Sequence, residues 1–237
     1  FVPQSLLTQC GIEYAFDYSY MRVMRIAVHP QLQSRGIGCY FLQQIADFSR
    51  MQGVDFLASS FGATKPLLSF WLTNNFQLAR IGFTKDKASG EQSALVLKGL
   101  SQEMKTTLDD INSEFYRSFD YLLVDEYQSL KVELVALILS FNFQQLDYEL
   151  SVRDRANVNS FAQGYKQYSS CVFSLHLWLK RQIAQSTGNV DEGFFALISR
   201  VFQKQSIAEV CKLYGFTGKK SLEQMLKSQI NAYLEKE

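Results

Sequence analysis

The chain is poor in the residues that build metal centres, disulfide frameworks and membrane anchors. Its 237 residues include 4 cysteines, 3 prolines and 2 histidines. Cys10, Cys39, Cys171 and Cys211 are scattered, with no Cys-x-x-Cys pair. That spacing argues against a zinc site and predicts reduced thiols in a cytoplasmic protein. His29 and His176 are too few for a histidine-rich site, so no metal is expected. The longest apolar stretch, around Leu134 to Phe141, is far short of the ~20 residues that span a bilayer. No secretory signal pattern is present. The chain starts with Phe1 in place of Met, which suggests a piece of a longer protein. A dominant charge is missing too: 24 Lys and Arg against 23 Asp and Glu leave +1. Residues 1–100 carry 9 against 6 and residues 101–237 carry 15 against 17. Any nucleic-acid surface must therefore be a local patch and not a basic domain.

What is present is a large apolar content, 47% of residues, enough for a real core. The pattern splits into two parts. Within residues 1–100 it mixes both periods. Gln4 to Gln9 reads as a short strand, and Gly11 to Tyr20 as a loop or helical turn. Met24, Ile26 and Val28 alternate as a strand that stops at Pro30, which fixes its own φ and has no N–H to share. A helix from Ile37 to Gln52 follows. Ile37, Phe41, Ile45 and Phe48 are its expected buried stripe, and Gly53 its C-terminal stop. Val54 to Ser60 is a buried strand. Lys65 to Asn74 is a short helix with Pro66 in its first turn. Phe76 to Phe83 and Ser93 to Lys98 are strands around a polar loop containing Ser89-Gly90.

From residue 101 the signal is helical only. Ser101 is a plausible N-cap with Glu103 in the first turn. Leu108, Ile111, Phe115 and Phe119 follow as a stripe. Further helices are expected at Leu130 to Phe141, Asn157 to Tyr168, Ser170 to Ala184, Glu192 to Phe202 and Ile207 to Tyr214, with a break at Gly188. The last starts near Lys219, with Leu222, Leu226, Ile230 and Leu234 at four-residue spacing. The expected organisation is an α+β or α/β part over 1–100 and an all-helical part over 101–237.

The stretch around Gly36 and Gly38 carries the chemistry. A glycine loop feeding a helix N-terminus suits an anion, because unpaired N–H groups and the positive dipole end both face the ligand. The dinucleotide fingerprint requires a third glycine where Phe41 stands. The Walker pattern requires Gly-Lys-Ser/Thr, which this stretch lacks. Gly218-Lys219-Lys220-Ser221 looks like the end of a Walker loop, but Leu213 holds the required upstream glycine position. The remaining pattern is Gln-x-x-Gly-x-Gly behind a strand ending in Val-x-Pro. Gln33-Ser34-Arg35-Gly36-Ile37-Gly38 behind Val28-His29-Pro30 resembles it, and it is the acetyl-CoA loop of the GCN5-related N-acetyltransferases (GNAT).

The resemblance extends further. Arg25-Ile26-Ala27-Val28-His29-Pro30, Ser60-Phe61-Gly62-x-Thr64, Phe70-Trp71, Phe76 with Arg80-x-Gly82, and Ala88-Ser89-Gly90 resemble the C-terminal part of the bacterial tRNA(Met) cytidine acetyltransferase family. In the tail, Phe161-Ala162, Leu213 and Gly218-Lys219-Lys220-x-Leu222 also fit. Three positions depart from that family. Pro66 and Thr73 stand in place of a carboxylate and a basic residue, and Asn75 in place of a glycine.

The resemblance implies a partial GNAT fold over 1–100, lacking its first strands and helices, and a tRNA-binding helical tail over 101–237. It implies acetyl transfer from acetyl-CoA to N4 of the wobble cytidine of elongator tRNA(Met). ATP is expected to be used by a helicase-like N-terminal module absent from this chain, and the chain alone is expected to be inactive. A cytosine amino group is a weak nucleophile, so positioning and oxyanion stabilisation should carry most of the catalysis. The backbone of Ile26, Ala27 and Val28 is assigned to the thioester, and that of Gln33, Ser34, Arg35, Gly36, Ile37, Gly38 and Cys39 to the pyrophosphate. His29 is the candidate general base, with a structural hydrogen-bonding role as its alternative. Arg80, Lys219 and Lys220 are candidate RNA contacts, with Lys180 and Arg181 as a second basic spot. Phe70 and Trp71 are expected to close the core beside the cleft, or to stack the cytosine. An N-acetyltransferase for a protein or small amine, and a non-catalytic RNA-binding relative, are the competing readings.

Overall fold

The computed structural model describes residues 1–142, 149–186 and 190–235. It divides into two compact units, Phe1–Ser118 and Phe119–Glu237. The sequence pattern places the change at residue 100, whereas the compact units divide inside a helix. That helix, α4 (Gln102–Leu122), puts Met104, Leu108 and Ile111 into the core of the first unit.

The first unit is built on a four-stranded sheet in the order β1-β2-β4-β3. The strands are β1 (Tyr20–Arg22), β2 (Phe56–Gly62), β3 (Gln77–Lys85) and β4 (Gln92–Gly99). β1 runs parallel to β2, and the other two pairings are antiparallel. The β1–β2 register is pinned at its start by Ser19 and Asp55. The Ser19 N–H and hydroxyl both donate to the Asp55 carboxylate at 2.8 Å, and the Asp55 N–H donates back to Ser19 Oγ at 3.0 Å. Phe56, Ala58, Leu95 and Leu97 share one sheet face with Val2, Leu6, Ile12 and Ala15, under α1 (Val2–Cys10) and the start of α4. Leu57, Ala94 and Val96 alternate onto the other face and are equally buried. That face carries α2 (Ile37–Met51) and α3 (Lys65–Thr73): Ser49 of α2 reaches Met21, and Trp71 of α3 stacks on Phe61.

Three sequence expectations change in this unit, and one alternative is excluded. Residues 4–9 are helical, not a strand. Val2 and Leu6, one turn apart, are the buried side of α1, and Gly11 ends it in the left-handed region at φ 70°. The strand expected at Met24 to Val28 is absent from the ladder. β1 ends at Arg22, and the next bond is Val23 N–H to Ala58 O at 2.8 Å. Ser59 Oγ then donates to the Val23 carbonyl at 3.0 Å, and residues 24–28 run on outside the sheet with neither helix nor turn. Helix α2 forms where expected, but the side facing the sheet is rotated by about a quarter turn from the expected stripe. Leu42, Ala46 and Ser49 are buried and Ile45 is half-buried, whereas Ile37, Phe41 and Phe48 are 42%, 52% and 57% exposed. Ala46 and Ser49 are small enough to let the helix approach the sheet closely. Trp71 is 2% exposed and packed between Phe61 and Phe76, so it closes the core as first expected and cannot stack a nucleobase.

Among the described residues the second unit is helical throughout. After the end of α4 come α5 (Val132–Ser140), α6 (Val152–Ala162), α7 (Tyr168–Gln185), α8 (Phe195–Val201), α9 (Ile207–Tyr214) and α10 (Lys219–Leu234). Helix α5 is buried from Leu134 to Ser140. The helix expected over 157–168 instead begins at Val152, set by a capping box between Ser151 and Asp154. Gly164, at φ 83°, follows its end. The break expected at Gly188 lies outside the described residues. The stripe Leu222, Leu226 and Ile230 of α10 is buried as its spacing requires.

Candidate functional site

The departure of residues 24–28 from β2 opens a cleft of about 550 Å³ in the first unit. It is lined by Ile26, Ala27, Val28, Leu32, Gln33, Ser34, Gly36, Ile37, Gly38, Cys39, Pro66, Leu67 and Phe70. Residues 26–28 contribute extended backbone outside the ladder. The loop folds back on them, because Gln33 Nε2 donates to Val28 O at 3.0 Å. Ser34 and Gly36 both take positive φ, 59° and 77°. Gly36 is the N-cap of α2, and no side chain caps this helix end. The first helical bond is Tyr40 N–H to Gly36 O, so the N–H groups of Ile37, Gly38 and Cys39 have no acceptor within the helix. No acidic residue occupies the first turn of α2, and no carboxylate lines the cleft. Open donors, a positive helix end and a lining without carboxylates among the described residues are features that suit an anion beside a mostly apolar cleft.

The sequence assignment of the cleft thus converges on one place, with two exceptions. Arg35 and His29 are exposed and are not among the lining residues. His29 instead sits at the start of a one-turn 3-10 helix, where Nδ1 accepts from Gln31 N–H at 3.4 Å. Sequence reasoning missed Leu32 and Leu67 as wall residues, whereas Pro66 falls where the resemblance puts a residue of the acetyl-CoA region. For α3 the signal was available: Pro66, Leu67 and Phe70 fall at i, i+1 and i+4 and share one helix side. The three departures from the family are accommodated locally. Asn75 adopts φ 62°, a conformation that asparagine tolerates almost as glycine does. Thr73 Oγ1 donates to Ser69 O at 2.8 Å inside α3, and Pro66 sits in its first turn.

The remaining candidates lie apart from the cleft lining. Arg80 is on β3, half-buried, with its Nε shut off from solvent. Lys219 is exposed, with Nζ 3.8 Å from Glu223, and Lys220 is exposed. At that helix end Ser221 Oγ accepts the Gly218 N–H at 3.2 Å and donates to Gly218 O at 2.9 Å. Lys180 is not an exposed basic spot. It is 7% exposed and pairs with Asp120 at 2.8 Å, because that face of α7 points inward. Among the described residues no group of three or more His, Cys, Asp or Glu is placed to hold a metal, and no helix is long and apolar enough to cross a membrane.

A mixed sheet whose first strand peels away to expose backbone beside an uncapped helix start is the arrangement of an acetyltransferase of the GNAT class. A family model described as GNAT acetyltransferase 2 matches residues 49–101. The tRNA(Met) cytidine acetyltransferase of Vibrio cholerae is 30% identical over 234 residues, 98% of this chain and 31% of the relative. That of Nitrosococcus halophilus is 30% identical over 95% of this chain and 31% of its own length. That of Thermococcus kodakarensis is 28% identical over 81% and 24%. This chain is therefore similar over most of its length to tRNA(Met) cytidine acetyltransferases, and it spans about a quarter to a third of the length of these curated relatives.

Proposed function

We propose that the cleft binds acetyl-CoA, and that this chain is the acetyltransferase part of an enzyme acetylating N4 of the wobble cytidine in elongator tRNA(Met). The observation that carries the reading is the uncapped start of α2, opening on a cleft walled by extended backbone. Its fit to the ligand is chemical. The N–H groups of Ile37, Gly38 and Cys39 suit a pyrophosphate. The extended backbone of Ile26 to Val28 suits the amide-bearing pantetheine arm, which can pair with it as a strand would. Acetyl-CoA supplies the activated acyl group. The chain's own contribution is to hold that group in register and direct backbone donors at its carbonyl oxygen.

The tail over 101–237 is assigned to tRNA, through local basic spots such as Lys219 and Lys220, with Arg80 as a further candidate on the first unit. ATP use, and the helicase-like module that performs it, are assigned to the part of such proteins outside the match. His29 is placed as the brace of the loop, with general-base action its alternative role. The enzyme is expected in the cytoplasm, where its substrate is.

Two measurements test the reading. Calorimetry should show acetyl-CoA binding to the 237-residue chain, and its absence would reject the cleft assignment. Mass analysis of bulk tRNA from a strain lacking the gene should show loss of N4-acetylcytidine. Its retention would reject the tRNA substrate and favour a protein or small-amine acceptor, or a non-catalytic role.

A further inference from the structure

The two loop glycines differ in kind. Gly36 has a positive φ, and a Cβ built on it meets nothing within 4 Å. Gly38 is not among the positive-φ residues, so conformational freedom does not explain it. A Cβ there would instead lie 3.1 Å from Phe70 Cε2, 3.3 Å from Phe70 Cζ and 3.8 Å from Val28 Cγ2. The ring of Phe70 lies tighter against position 38 than a Cβ ordinarily tolerates, so a side chain there would make the ring give way slightly. That ring is held from behind. It meets the buried Trp71 edge-on at 5.6 Å between centroids, and Trp71 is itself packed on Phe61 and Phe76. The Phe70 carbonyl accepts from Asn74 Nδ2 at 2.7 Å, which fixes the last turn of α3.

We propose that Phe70 is a cofactor-contact residue, and that Gly38 is glycine so that this ring can close the cleft just beyond the phosphate site. The inference rests on the acetyl-CoA reading. Val28, Gly38 and Phe70 converge where the polar donors of α2 give way to the apolar wall of Leu67 and Pro66. The group following the pyrophosphate in CoA is the pantoyl unit, a compact carbon bearing two methyl groups. An aromatic face at that point buries those methyls and narrows the cleft to an unbranched arm beyond. ADP carries a pyrophosphate without the arm, so it separates the two halves of the site.

The test is calorimetry of acetyl-CoA and of ADP on the 237-residue chain and its variants, with thermal melting to confirm folding. Phe70→Ala uncovers about 50 Å² of ligand contact, so acetyl-CoA should bind about tenfold more weakly while ADP is unaffected. Phe70→Leu, which retains an apolar side chain of smaller reach, should lose about threefold. Gly38→Ala should weaken acetyl-CoA binding by pushing the ring aside. Adding Phe70→Leu to Gly38→Ala should cost nothing further, because the leucine leaves room for the new methyl. Equal losses for ADP and acetyl-CoA in Phe70→Ala would overturn the proposal, as the ring would then only support the loop. Unchanged acetyl-CoA affinity in folded Phe70→Ala, or strictly additive losses in the double variant, would overturn it as well. A wild-type chain that binds no acetyl-CoA would instead reject the underlying reading of the cleft.

Discussion

Gly36→Ala isolates the backbone contribution of the loop to binding. At φ 77° and ψ −1° the residue lies in the left-handed region, and its added methyl would touch nothing within 4 Å. The whole effect is therefore conformational, about 1–2 kcal/mol for a residue with a Cβ held there. Without ligand the variant can relieve that strain by turning residue 36 to negative φ. Doing so reorients the N–H groups of Ile37, Gly38 and Cys39 away from the cleft. Ligand binding must then restore the strained form, and acetyl-CoA affinity should fall by about 5- to 30-fold. Gly36→Glu carries the same strain and adds a carboxylate at the N-cap of α2. A negative group there satisfies the helix end, so the chain should stay folded, but it occupies the donors that the pyrophosphate needs. Binding should be lost beyond detection. The assay is calorimetry with acetyl-CoA, each variant checked by circular dichroism melting. If both folded variants bind like the wild type, the N-terminus of α2 is not the anion site and the reasoning fails.

His29→Ala should weaken acetyl-CoA binding by less than about threefold, since it removes only a long 3.4 Å bond that braces a single turn. In the whole enzyme a general base would instead show a loss of about 10²–10⁴ in acetylation rate with an altered pH profile, and that result would reassign the residue. Lys180→Met leaves the Asp120 carboxylate without its 2.8 Å partner in a largely buried place. Breaking a buried pair typically costs about 3–5 kcal/mol, and about 2–3 is expected here because the Asp120 side chain keeps 26% exposure. Urea denaturation measures it, and an unchanged midpoint would refute a structural role for the pair. Lys219→Glu with Lys220→Glu should weaken tRNA binding by the whole enzyme and flatten its salt dependence, leaving acetyl-CoA affinity intact. Filter binding across a salt series that shows the same affinity and slope would move the RNA surface elsewhere.

Local chemistry was the legible part of this chain. Ser101 Oγ accepts from Met104 N–H, as its place ahead of an acidic first turn predicts, because a cap is decided within four residues of sequence. What could not be read depended on partners far along the chain. Alternation at Met24, Ile26 and Val28 looks like a strand. A strand needs a neighbour, however, and the pairing with β2 stops after Arg22 and Ala58, where Ser59 Oγ donates to the Val23 carbonyl. Ile26, Ala27 and Val28 beyond that ending line the cleft, so the error in secondary structure coincides with the candidate site. The amphipathy of α2 was equally clear but placed its inner side about a quarter turn off: Leu42, Ala46 and Ser49 face the sheet, Ile45 is half-buried at the margin, and Phe41 and Phe48 are exposed. Lys180 reads as a solvated base until the fold brings Asp120 beside it.

The two glycines show why a motif is less than a mechanism. In sequence Gly36 and Gly38 are the same letter in one pattern. In the structure the first is required by its own dihedral angle and the second by a ring 32 positions away. A change at 36 is therefore uncorrectable by any neighbour, since strain in the residue's own backbone has no partner to adjust. A change at 38 is correctable at 70, since a steric conflict has two sides. The coupling between positions 38 and 70, and its absence between 36 and 70, follows from that difference and from nothing in the motif itself.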